Sequence, residues 1–139
     1  MIDGPVLLDT GPLVALLHKH DSQHARCRDQ AGEINGPVFT TWAVVTEAAW
    51  LLRRVSGGLE KLLDTIQDKD VQCIQLGTTA IEFLRTQLLQ YEDLHPQLAD
   101  LTLLYLADEL GANTIFTLDR RDFTVYRNST GKSFRLIHE

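Results

Sequence analysis

Short apolar runs alternate along the chain with longer stretches whose apolar residues recur every three or four positions. VLLD (6–9), PVFTT (37–41) and NTIFTL (113–118) read as buried strands, and VQCIQL (71–76) alternates as a strand does. The first helix starts at Thr10 or Gly11, because Pro12 is favoured in an opening turn. A second restarts at Asp21-Ser22 and runs to about Ala31, where Gly32 can end it. WAVVTEAAWLLRRV (42–55) reads as a helix stopped by Gly57-Gly58, followed by an amphipathic one with Leu59, Leu62, Leu63 and Ile66 on one stripe. TTAIEFLRTQLLQYE (78–92) is helical again, and Pro96 opens a long apolar helix that Gly111 closes. The tail suggests a turn at Ser129–Gly131 and a last short strand.

Strands that alternate with helices in this way form a parallel sheet covered on both faces, an α/β fold with three layers, α/β/α. At 139 residues a single domain spanning 1–139 is expected. In open sheets of this kind, sites lie beyond the carboxyl ends of the strands, where strand order reverses. The residues just past the end of each strand therefore matter most.

Hydrophobic residues make up 44% of the chain and charged residues 23%, as in a soluble globular protein. No apolar run approaches membrane-spanning length, and the N-terminus lacks the basic region and cleavage site of a secretory leader. Cys27 and Cys73 form no C-x-x-C, so reduced thiols and a cytoplasmic location are expected. The net charge of −6 argues weakly against a general nucleic-acid binder, unless the acids are gathered in one cleft. A P-loop motif is absent.

Four acids stand in awkward places. Asp9 and Asp119 each come directly after a strand, where they either cap the next helix or project into a site. For Asp119 the capping reading gains from Asp122, placed to reach back as in a capping box. Glu47 has Ala43, Val44, Trp50 and Leu51 as its helical neighbours, so it needs a proton or a cation, the latter from a structural salt bridge or a bound ion. Asp100 sits in a markedly apolar helix, as a helix-start acid or as a buried one. Gathered at one sheet edge, these carboxylates would repel one another, and a hard divalent ion such as Mg²⁺ or Mn²⁺ is their natural partner.

LLDTGPLVALL, TTWAVVTEAAWLL and LADLTLLYLADELGANTIFTLDRRDF, with 38, 53 and 19 residues between successive acids, resemble the PIN-domain ribonucleases, and the VapC-type toxins of bacterial toxin–antitoxin pairs in particular. The resemblance covers essentially the whole chain. It implies a metal-dependent endoribonuclease with a metal site of Asp9, Glu47, Asp100 and Asp119, supported by Thr10 and Thr117, with Asp122 as an outer acid. It further implies an RNA substrate, a small antitoxin docked across the cleft and a homodimer. The exposed apolar face for such a partner would include Leu13, Leu16, Leu17, Trp42 and Trp50, residues that core packing would equally explain. In a nuclease Arg53, Arg54, Arg120 and Arg121 could contact phosphates, which fixes position without reading sequence; solvated surface is the plainer account.

Other chemistries fit less well. His18, His20 and His24 lack the spacing of a zinc site, and His18 and His20 would face different sides of a helix. DTGPLV resembles the nucleophile segment of aspartyl phosphotransferases, but Gly11 occupies the place of their second acid. A non-catalytic PIN-like scaffold that binds RNA or regulates without cleaving is the remaining alternative.

Overall fold

The computed structural model describes residues 1–137. Its centre is a five-stranded, wholly parallel sheet in the order β3-β2-β1-β4-β5. The strands are β1 (Val6–Leu8), β2 (Val38–Thr41), β3 (Gln72–Ile74), β4 (Thr114–Phe116) and β5 (Arg135–Ile137). Val6, Leu7 and Leu8 are all fully buried although successive strand residues face opposite ways, so both faces of β1 are covered. That is the three-layer α/β/α arrangement. β3, at the edge, keeps Gln72 exposed, in line with its alternating sequence.

The helices are α1 (Thr10–Leu17), α2 (His24–Ala31), α3 (Trp42–Leu52), α4 (Gly58–Gln67), α5 (Ile81–Gln90), α6 (Leu98–Leu110) and the short α7 (Arg120–Phe123). Single 3₁₀ turns at Thr78–Ala80 and Glu92–Leu94 flank α5. α6 is the most deeply placed: Leu101, Leu103, Leu104, Leu106 and Ala107 are buried, and Gly111 ends it at φ +63, a left-handed value that costs glycine little. Its first helical residue is Leu98, two beyond Pro96, which puts Asp100 in the opening turn. The final strand and the turn before it are present, with Asn128 Oδ1 accepting from the Thr130 and Lys132 amides.

The structure sharpens three expectations. α3 stops at Leu52 rather than Val55; the residues that follow form turns, and Gly57, at φ +70, caps the start of α4. α4 is the amphipathic helix expected: Leu62 is fully buried and Ile66 packs against the core, while Leu59 and Leu63 are exposed. The set Leu13, Leu16, Leu17, Trp42 and Trp50 divides: Leu13 is core, Leu16 and Leu17 are half-buried against it, and the two tryptophans are exposed.

The strand order places β1 and β4 side by side, although β1 leads to β2 on one flank and β4 to β5 on the other. The crevice between their carboxyl ends is the switch point where such sheets hold ligands. Thr40 Oγ1 donates to Leu8 O at 2.8 Å, and the hydroxyls of Thr41 and Thr102 lie 2.8 Å apart, joining β2 to α6 beside that crevice.

Candidate functional site

Asp9 and Asp119 reach the crevice from β1 and β4, as their positions after apolar runs require. Asp9 occupies the residue before α1, yet its side chain caps nothing; Asp9 Oδ2 accepts from Thr117 Oγ1 at 2.8 Å across the sheet. The capping reading of Asp9 therefore fails. For Asp119 capping and convergence both hold: Oδ1 accepts from the Asp122 amide at 3.2 Å while the residue lines the crevice. Thr117 also accepts from the Asp119 amide at 2.9 Å, so one buried hydroxyl ties the two strand-end acids together.

Glu47 comes from α3. It was expected among buried neighbours, but of these Trp50 and Leu51 are exposed, and Val44 alone is fully buried. Glu47 is thus a half-buried rim residue that accepts from the Thr10 hydroxyl at 2.8 Å. Asp100 comes from α6 and is only 5% exposed. Tyr126 donates its phenolic hydrogen to Asp100 Oδ2 at 3.2 Å and is itself fully buried, edge-on to Tyr91 and Phe123.

Asp9, Glu47, Asp100 and Asp119 line one cleft of about 340 Å³, together with Thr10, Gly11, Leu51, Gln97 and Leu118. No lysine or arginine is among these lining residues. Carboxylate oxygens of Asp100, Asp119 and Asp122 lie within 4.8 Å of one another, so Asp122 belongs to the tightest part of the cluster as well as to the turn. Arg120 and Arg121 are exposed on α7. Arg53 stacks over the Trp50 ring at 3.6 Å and donates to the Trp50 carbonyl, while Arg54 lines a different pocket.

The electrostatics record the crowding. Burial lifts the Asp9 carboxyl to about 6; the Thr117 hydroxyl and the Thr10 amide hold it down, and Glu47 and Asp119 push it up. Burial likewise lifts Asp100 to about 7, with Asp9, Asp119 and Asp122 adding to the rise and the Tyr126 hydroxyl opposing it. Asp122 is raised by burial and by Asp119, offset in part by Arg121. Tyr126 is raised too, by burial and then by Asp100, so it stays a neutral donor. An all-oxygen anionic set without an internal cation fits a hard divalent ion.

Reading the sequence missed Tyr126 and Gln97. Phe123 and Tyr126 stand three apart just after two acids, a spacing that brings aromatics to one side of a helical turn. Gln97, the residue before α6, carried no signal of its own.

A PIN domain family model matches residues 6–128. Ribonuclease VapC26 of Mycobacterium tuberculosis is 28% identical over 146 residues, covering 95% of this chain and 99% of that protein. The crystal structure of M. tuberculosis VapC20, described as a toxin that cleaves the sarcin-ricin loop, superposes with a TM-score of 0.76 at 18% identity, over 84% of this chain and 91% of that one. VapBC2 of Rickettsia felis, solved bound to a promoter DNA fragment, gives 0.64 at 18% identity, over 98% and 99%. The family model spans the first four strands and every helix, including the four elements that carry the acids, and with it the chain belongs to the PIN domain family.

Proposed function

We propose that the chain is a divalent-metal-dependent endoribonuclease, the toxin of a toxin–antitoxin pair, and that the acid cleft is its active site. The observation that carries this reading is the convergence of Asp9, Glu47, Asp100 and Asp119, from four separate elements, on one cleft that no lining lysine or arginine neutralises. Membership of the PIN family and the likeness to Ribonuclease VapC26 supply the substrate class.

Asp9, Asp100 and Asp119 would hold the ion, with Glu47 and Asp122 completing the anionic wall. When bound, Mg²⁺ or Mn²⁺ would draw electron density from the scissile phosphate and make a bound water more acidic. Thr117 fixes the Asp9 carboxylate and the Asp119 backbone, and Thr10 fixes Glu47. A cleft carboxylate within reach of the attacking water takes its proton. Arg120 and Arg121, exposed on α7 just after Asp119, would contact backbone phosphates, which sets position without reading bases. Metal-free, the cluster repels RNA, so substrate binding depends on the ion.

A docked antitoxin and a homodimer both call for apolar surface. Trp42, Trp50 and Leu51 on α3 and Leu59 and Leu63 on α4 leave such surface exposed. No described helix is long and apolar enough to cross a membrane.

The test is cleavage of single-stranded RNA in Mg²⁺ or Mn²⁺, with and without EDTA, by the wild type and Asp9→Asn. Cleavage should stop in EDTA and fall roughly 10²-fold or more in the variant. Metal-independent cleavage or an active variant would defeat the mechanism. RNA binding without any cleavage would favour the scaffold reading.

A further inference from the structure

A second pocket, of about 470 Å³, is lined by Lys19, Arg54, Lys61, His18 and His20, with Leu17, Val55 and Ser56 completing the wall. No acid lines it. Among the described residues Lys19, Arg54 and Lys61 make no side-chain hydrogen bond or ion pair, in a protein whose net charge is −6. The three cations are exposed and come from three segments, so together they form a basic patch open to an anion from solution. His18 and His20 lie beyond the end of α1, with rings 6.3 Å apart, and line this pocket together rather than facing different sides of a helix. A metal ion at the two histidines is disfavoured by the three cations. Among the described residues only Asp100, Asp119 and Asp122 form a group suited to a metal.

The basic pocket lies beside the acid cleft. Thr10 and Gly11, at the start of α1, line the acid cleft; Leu17, at its end, and His18 line the basic pocket. Glu47 and Leu51 of α3 line the first, and Arg54, in the turn just past the end of that helix, lines the second. The same two packed segments therefore wall both sites, and eight residues of α1 separate them by about 12 Å at 1.5 Å per residue. A single strand lying over this seam would have its scissile phosphate among the acids and another backbone phosphate, a few nucleotides along, among the cations.

We propose that the pocket of Lys19, Arg54, Lys61, His18 and His20 is a backbone-phosphate site that anchors the RNA away from the scissile bond. This rests on the ribonuclease reading for its substrate, and its test does not need cleavage. The probe is a 12-nucleotide single-stranded RNA of mixed sequence, titrated in Mg²⁺ at several salt concentrations. The proteins are Asp9→Asn and the same variant carrying Lys19→Gln, Arg54→Gln and Lys61→Gln, with matching melting temperatures as the folding control. Neutralising three phosphate contacts should flatten the slope of log affinity against log salt by about 2 and weaken binding about tenfold or more at moderate salt. Lys132→Gln, outside the pocket, should leave affinity unchanged.

In the cleavage-competent protein the triple substitution should raise KM and spare kcat. An unchanged slope and affinity, or an equal loss from Lys132→Gln, would overturn the proposal even if the enzyme cleaves RNA. So would unchanged RNA binding accompanied by lost binding of an acidic peptide, which would make the pocket a protein-docking site. RNA that binds through these cations but is never cut would sink the nuclease reading while leaving the anion site standing.

Discussion

At Asp100 a single side chain gathers the opposing forces of the site: burial and three acids raise its pKa to about 7, while the Tyr126 hydroxyl pulls it down. Replacing Tyr126 by Phe removes that donor and little volume, so Asp100 should titrate still higher and divalent affinity should drop by roughly 10- to 100-fold, as losses of ligand-orienting partners do. Carboxyl NMR titration and metal-binding calorimetry would read the two effects. Asp100→Asn keeps an acceptor for Tyr126 and deletes the charge. In EDTA at pH 8 it should melt higher than wild type, by a stability gain of up to a few kcal/mol. A lower melting temperature would mean that the charge is compensated from within the fold. Asp9, Glu47 and Asp100 could be picked out of the sequence as charges among apolar neighbours, and Asp119 as the acid that follows an apolar strand. Tyr126 could not, since its hydroxyl meets an acid 26 residues away and nothing local signals the contact.

Elements follow the same division between local and distant causes. β1, β2 and β4 were legible as apolar runs because interior strands of a parallel sheet are buried on both sides. α6 was legible by its leucines and by Gly111. Gly111→Ala should cost about 1 kcal/mol through its left-handed backbone alone, since a Cβ there meets no atom within 4 Å. Leu103→Ala, at a fully buried position, should cost about 2–5 kcal/mol. Denaturant midpoints would separate the two. The limits of α3 and the exposure of Leu59 and Leu63 were not legible, because an apolar stripe is the same whether a neighbouring helix, a partner or nothing covers it. The Gly57-Gly58 pair was correctly a break, but its first glycine starts a helix, a difference that turns on the chain's return against Leu52 and Val55.

On the scale of the whole molecule, the strand order 3-2-1-4-5 makes one polypeptide deliver acids from β1, α3, α6 and β4 to a single crevice. The cluster then couples folding to pH and to metal. Asp9 and Asp100 bind protons more tightly folded than unfolded, with values raised from 3.8 to about 6 and about 7. Their contribution to stability is therefore intact in acid and is lost as pH rises through those values. Without metal, the melting temperature should fall between pH 5 and pH 8; saturating Mg²⁺ should flatten the profile by binding the ionised cluster. The most direct measurement is calorimetric titration of the wild type with Mn²⁺ at pH 6 in two buffers of different ionisation enthalpy. Saturable binding with release of protons, lost in Asp9→Asn/Asp100→Asn, is the predicted result. No saturable binding, or equal binding by the double variant, would contradict it.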